Sequence, residues 1–277
     1  MIKTGKFFFF LIIVSLQLYA QQPTAANAKI IVDSYSLEKS RSIPIGVLAE
    51  LENDWHLYWR NSGDTGIPTS IEFDLPEGIS ISEILWSVPK VFEFDGLASF
   101  GYEKQVLLIA ELNIPENFES NSVLITARVK SLICKDVCIP FNTNVSNEIK
   151  LMNSFSAEDE ISKLFSQTRI NLPEAKNDFE LSVVPEENNL TIVFENLNYD
   201  LAKINSLYFL PYESGIFKNT AEQNFKIKDK RIELMIEYDQ FKTEEFRELF
   251  GILVFQFNDA AQSQKAYEIN KQIYTNN

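Results

Sequence analysis

Cys134 and Cys138 are the only thiols in the 277-residue chain, and three residues separate them. Their chemistry depends on the backbone between them. Along a continuous strand, residues four apart lie about 13 Å apart, at roughly 3.3 Å per residue. A disulfide needs Cα atoms about 4.4–6.8 Å apart, so a straight strand forbids the bond. If Lys135-Asp136-Val137 forms a three-residue hairpin loop, the cysteines face each other at about 4.5–5.5 Å and the bond is allowed.

A bond in that place is either an exchangeable disulfide or a fixed staple. Closing so short a loop removes about 2 kcal/mol of chain entropy, against about 5 for a loop of about a hundred residues. Neighbouring hairpin strands are already held together, so a brace there adds little, and the pair is read as one that opens and closes. Lys135 favours a nearby thiolate and Asp136 disfavours it, so the local charges roughly cancel. Thiols of this kind attack poorly, yet their disulfide is open to a partner's thiolate through a mixed disulfide. Spacing does not choose between Cys134 and Cys138 as the attacked sulfur. Zinc is not expected, because two cysteines and the single His56 do not make the usual four-ligand set. A thioredoxin-type centre needs two intervening residues and a helix N-terminus, and neither is evident. No cofactor is implied.

The elements that must position the pair are strands. Val123, Ile125, Ala127 and Val129 alternate with Thr126, Arg128 and Lys130, the period of a half-buried strand. Phe141 to Ser146 can run back beside it. Upstream, Lys29 to Ala49 predicts two strands around the polar turn Glu38-Lys39-Ser40-Arg41. Trp55 to Trp59 suits a buried strand, and Asn61 to Pro68 a long turn. His56, between aromatics, is read as packed rather than catalytic. Further strands are expected over 69–75, 79–86 and 106–112. Pro89 to Glu103 is aromatic but broken by Gly96 and Gly101, and is read as a covering loop. Many short strands with turn signals between them indicate an all-β sandwich.

The start of the chain places it. Lys3 and Lys6 precede the apolar block Phe7 to Val14, and small Ala20 precedes Gln21-Gln22-Pro23. This is the layout of a secretory signal peptide over residues 1–20, too short for a spanning helix. The mature protein is then expected outside the cytoplasm, in an oxidising compartment where cysteines pair. With 45% hydrophobic residues and 22 Phe, the chain can bury real cores. A formal charge of −14 without a Lys/Arg block argues against nucleic acid or an anionic membrane as partner.

Three separated stretches occur in an order that is similar to a known family. They are Trp55-His56-x-Tyr58-Trp59-Arg60-Asn61-x-Gly63-Asp64-x-Gly66-x-Pro68, then Phe100-Gly101-Tyr102-Glu103, then Leu132 to Pro140 with its cysteines. Over about residues 29–150 the chain resembles the N-terminal periplasmic domain of the thiol:disulfide interchange protein DsbD. Within that family it resembles the ScsB-like branch, which shares the three-residue cysteine spacing. The resemblance implies an immunoglobulin-like sandwich whose cysteines shuttle between dithiol and disulfide. It implies a periplasmic location, electrons from a membrane-embedded or thioredoxin-like donor, and disulfide-bonded periplasmic proteins as clients. It also implies an aromatic cap and acidic tuning residues, by position Phe94 and Glu93, with Tyr102 beside them. Full-length members continue into a membrane bundle and a thioredoxin-like domain. Here no later segment reaches about 18 apolar residues and no Cys-x-x-Cys follows, so the donor is expected to be another polypeptide.

Beyond residue 150 the pattern changes. Ser156 is read as a helix cap, followed by Glu158, Asp159 and Glu160, with Ile161, Leu164, Phe165 and Thr168 on one face. The expected layout is a redox β-sandwich over 21–152, a helical linker over 153–173 and a second immunoglobulin-like sandwich over 174–277. The second sandwich has strands near 179–184, 190–194, 206–210, 224–228, 232–238, 251–257 and 266–274. It carries no cysteine and no histidine, and Glu186-Glu187 and Glu244-Glu245 read as solvated edges. Its expected role is docking or spacing, and it resembles the second β domain of ScsB-like members. No histidine-based triad, phosphate-binding glycine loop or carboxylate pair supports a hydrolase or nucleotide enzyme. Two readings remain: a thiol:disulfide exchange module, and a secreted binding or assembly sandwich with a structural disulfide.

Overall fold

The computed structural model describes residues 25–175, 179–197, 200–240, 247–258 and 263–273. The expected signal peptide, Glu244-Glu245 and Tyr274 lie outside them. The chain is all-β with a single α-helix among the described residues. Its first half runs β1 (Ala26–Val32), β2 (Tyr35–Ser36), β3 (Ser42–Leu51), β4 (His56–Gly63), β5 (Ser70–Asp74) and β6 (Ser80–Ile81). It continues through β7 (Lys90–Phe94), β8 (Leu97–Glu103), β9 (Gln105–Asn113), β10 (Ser122–Cys134), β11 (Cys138–Lys150) and β12 (Ser154–Phe155). Two main sheets result, one ordered β1-β3-β9-β6 and the other β11-β10-β4-β8-β7 with β5 paired to β10, beside the two-stranded pair β12-β2. Alternation on β10 behaves as its residues dictate. Val123, Ile125 and Ala127 are fully buried against Ile43, Ile45 and Leu112 of the facing sheet's cluster, while Leu124, Arg128 and Lys130 stay exposed.

Two stretches differ from the sequence reading. Residues 89–103 form a β-hairpin rather than a loop: Phe94 pairs with Leu97 across Asp95-Gly96. Both turn residues have positive φ, 51° and 75°, which a two-residue hairpin turn of this hand requires and which Asp-Gly supplies. The strand expected over 79–86 is reduced to β6 and one isolated bridge from Leu85 to Ile109.

The helix α1 (Asp159–Ile170) has Glu158, not Ser156, at its N-cap position, and the Glu158 side chain makes no cap hydrogen bond. The segment before it is tied elsewhere: β12 pairs with β2, and the Ala157 amide donates to Ser34 Oγ, so the helix starts a few residues late. Phe165 is fully buried with Ile31, Leu48, Leu107 and Ile109, on the outer face of the β3–β9 sheet. Arg169 pairs with the buried Asp33 at 2.7 Å. The expected linker is therefore docked on the first domain.

The second half contains β13 (Glu180–Pro185), β14 (Asn189–Glu195), β15 (Ile204–Pro211), β16 (Asn224–Lys228), β17 (Arg231–Glu237), β18 (Glu248–Phe257) and β19 (Gln264–Gln272). One sheet is β13-β14-β17-β16 and the other β15-β18-β19. Along β18, Leu249, Leu253 and Phe255 enter the core between these sheets. Ile252 and Val254, on the opposite face, join the core cluster of the first domain together with Leu210 and Ala266. A strand buried on both faces reads as a continuous apolar run, which is why Ile252 to Phe255 shows no alternation. The halves share one apolar interface.

Candidate redox site

The thiols come together as the hairpin geometry requires. β10 and β11 pair from Ser122↔Lys150 up to Cys134↔Cys138, leaving Lys135-Asp136-Val137 as the loop. Cys134 and Cys138 are bonded, with Cα atoms 4.1 Å apart. Their exposure differs sharply. Cys134 is 2% exposed, because β4 flanks it on the other side, whereas Cys138 is exposed on the edge strand.

β4 supplies the surroundings. Cys134 pairs with His56 and Ile133 with Leu57, while on the far side His56 pairs with Glu103 of β8. Directly opposed residues share a sheet face. His56, Tyr58 and Glu103 therefore lie on the sulfur side, and Leu57, Trp59 and Tyr102 on the core side. The Tyr58 hydroxyl reaches the sulfurs, 3.2 Å from Cys134 Sγ and 4.0 Å from Cys138 Sγ. It is also 3.3 Å from Thr65 Oγ1. The turn after β4 covers the ring: a Cβ at Gly66, where φ is 82°, would lie 2.2 Å from Tyr58 Cζ. Only glycine fits there, in both conformation and space.

His56 is packed. Its ring stacks on Phe92 at 4.6 Å and meets Tyr58 edge-on at 5.3 Å, and its buried Nε2 has no hydrogen-bond partner. Burial lowers its pKa below the ordinary 6.5 and outweighs the nearby Glu103 carboxylate, which raises it. A neutral imidazole beside the disulfide follows.

The other sequence-derived candidates separate. Phe94 stands on the same face of β7 as Phe92, at the hairpin tip, and is 85% exposed. Phe92, not singled out from sequence, is the aromatic packed beside the site. Glu93 points to the opposite face of β7, lining with Val91 and Phe100 a cleft against Leu207 and Gln223 of the second domain. Tyr102 is buried in the core with its hydroxyl donating to the Ser87 carbonyl at 2.7 Å, and burial pushes its pKa far up. Lys135 is paired with Asp54 at 3.0 Å, and that bond raises its pKa. Asp136 is exposed in the loop. Glu103, opposite His56 on β8, is an acid on the sulfur face, and the Lys90 ammonium engages it. Tyr58 was missed from the sequence, although its two-residue offset from His56 puts both on one face.

The arrangement offers an attackable sulfur at Cys138, a sheltered leaving sulfur at Cys134, and a hydroxyl beside the latter. Among the described residues, no group of three His, Cys, Asp or Glu side chains is placed to hold a metal ion.

Comparison with known proteins places this geometry. Residues 22–149 match the family model described as thiol:disulfide interchange protein DsbD, N-terminal. The crystal structure of the N-terminal periplasmic domain of ScsB from Proteus mirabilis superposes with a TM-score of 0.62 at 18% sequence identity. The alignment covers 90% of this chain and 93% of that one, so the similarity of fold runs through both halves. No curated protein sequence matches the chain significantly. Residues 22–149 thus carry the match to the DsbD N-terminal family, and the fold similarity continues into a second β domain behind them.

Proposed function

We propose that the protein is an extracytoplasmic thiol:disulfide exchange module whose Cys134–Cys138 pair cycles between disulfide and dithiol. The observation that carries this reading is the unequal exposure of the two bonded cysteines, with a hydroxyl at the sulfur of the buried one. A partner thiolate attacks Cys138 Sγ in line with the S–S bond. That bond breaks, and its electron pair leaves on Cys134 Sγ as a thiolate, which accepts a hydrogen bond from Tyr58. The partner's second thiolate then attacks its own sulfur in the mixed disulfide and releases Cys138. Two electrons and two protons have moved: the partner dithiol has become a disulfide, and this disulfide a dithiol. In the opposite half-cycle, Cys138 attacks a client disulfide and Cys134 resolves the adduct.

The donor in this reading is a thioredoxin-like or membrane-embedded reductase, and the clients are disulfide-bonded proteins of the periplasm. The family match of residues 22–149 supports both. Among the described residues no helix is long and apolar enough to cross a membrane. Phe94, 85% exposed at the hairpin tip on the sulfur face, offers a docking partner an aromatic contact, while Phe92 packs beside the site. Trapping tests the scheme: with Cys134→Ala, whose Cys138 thiol is first activated as a mixed disulfide with thionitrobenzoate, a reduced thioredoxin-like partner bearing a single thiol should displace thionitrobenzoate and accumulate as an adduct on Cys138. Cys138→Ala should yield little. Recovery of no adduct from either variant would rule out exchange.

A further inference from the structure

The second β domain reaches the redox site through a short chain of polar contacts. Asn61, 2% exposed and three residues after Tyr58, donates from Nδ2 to the carbonyls of Pro211 at 2.8 Å and Glu213 at 3.2 Å. Its Oδ1 accepts from the Gly63 amide at 2.9 Å. A buried amide that donates to carbonyls of one domain and accepts from a turn of the other joins the two. Asp64 forms a second junction. Its Oδ1 accepts from Asn219 Nδ2 of the second domain at 2.7 Å, and its Oδ2 accepts from the Ala98 amide of β8 at 2.8 Å. The Asp64 amide returns a bond to the Ala98 carbonyl at 2.8 Å. The next two residues of the turn, Thr65 and Gly66, are the ones that touch the Tyr58 hydroxyl and ring. Alongside, Tyr212 packs on Trp59 at 5.5 Å and under the Arg60 guanidinium at 4.0 Å, fixing the same stretch of β4.

We propose that the second domain is a positioning element of the redox site: through Asn61 and Asp64 it holds the 63–66 turn against Tyr58, and so holds the Tyr58 hydroxyl at Cys134 Sγ. Asn61, Asp64 and Asn219 are positioning residues, since none touches a sulfur. This rests on the exchange reading above and assigns a part in it to the second domain. Turns of this kind have little apolar burial of their own, so their order depends on a few polar contacts. The second domain contributes several of them.

The test uses the full chain and a double-mutant cycle. Asn219→Ala removes the interdomain bond from a half-buried loop residue that belongs to neither core cluster. The readout is the second-order rate of disulfide reduction by reduced thioredoxin, together with the thermal midpoint. Asn219→Ala should slow reduction about fivefold, the scale of one hydrogen bond, with the thermal midpoint nearly unchanged. In a Tyr58→Phe background, where the hydroxyl is already gone, the same substitution should have no further effect. Asn219→Asp, which sets a second carboxylate against Asp64, should slow reduction at least as much as Asn219→Ala. Unchanged rates in both Asn219 variants would overturn the proposal, as would a fivefold loss that persists in the Tyr58→Phe background. Either result leaves the exchange reading standing if the parent protein is reduced readily. A parent that thioredoxin does not reduce would sink the exchange reading itself.

Discussion

Replacing Tyr58 by Phe isolates the one group that treats the two sulfurs differently. The ring is 2% exposed and packs against Gly66, so Phe keeps the packing and loses only the hydroxyl. That hydroxyl lies 3.2 Å from Cys134 Sγ and 4.0 Å from Cys138 Sγ, so it stabilises charge mainly on Cys134. Burial works in the other direction, because a residue only 2% exposed is a poor place for a thiolate. The nearby Lys135 ammonium does little to help, since it is exposed and engaged by Asp54. The hydroxyl is therefore the main local support for the leaving thiolate. A hydrogen bond to a charged group is worth about 1.5–3 kcal/mol. Taking the lower end, its loss raises the Cys134 thiol pKa by about one unit and slows attack on Cys138 by about tenfold. Stopped-flow reduction by thioredoxin and ultraviolet titration of the reduced protein's thiolates measure the two effects. Equal rates and equal titrations in Tyr58→Phe and parent would refute the leaving-group argument, whatever the stability of the variant.

Two further outcomes follow from packing and charge. Phe165→Ala, at a fully buried position that also touches Gly46, should cost about 3–5 kcal/mol in denaturant unfolding and free α1 from its sheet, while leaving thiol exchange close to normal. A loss under about 1 kcal/mol would mean the helix is not docked as described. His56 titrates below 6.5 in the folded protein, so the unfolded chain binds the extra proton first as pH falls. Its contribution to stability is full above about pH 6.5 and is lost as pH drops from there toward the folded pKa. An NMR titration of the single histidine should give a midpoint below 6.5, and one above it would contradict the burial account.

Much of the site was legible because it is local. Four residues of separation, a three-residue polar loop and flanking alternation were enough to set Cys134 opposite Cys138. The β7–β8 hairpin is equally local in its Asp95-Gly96 turn, although the aromatic density around that dipeptide points to a covering loop. What stayed hidden depends on pairing across the chain. Tyr58 reaches Cys134 over 76 positions through a two-residue pairing of β4 with β10, which no periodicity announces. The docked helix is a similar case: the amphipathic face of Ile161, Leu164 and Phe165 was visible, but not which sheet it covers. Alternation in β7 could have separated Glu93 from Phe92 and Phe94 once that stretch was taken as a strand. The contact between the halves left one trace, the unbroken apolar run in β18, and such a run is equally compatible with a strand buried inside a single sandwich.

Whether the Cys134–Cys138 bond is in working equilibrium with other thiols is answered most directly by its reduction potential. The purified full chain would be equilibrated in graded glutathione and thioredoxin buffers and the reduced fraction counted by alkylation mass shift. The account expects a midpoint well above about −300 mV, within reach of thioredoxin-like donors at about −270 mV. A midpoint below about −300 mV, with the bond untouched by reduced thioredoxin, would mark it as a fixed staple and contradict the proposed exchange.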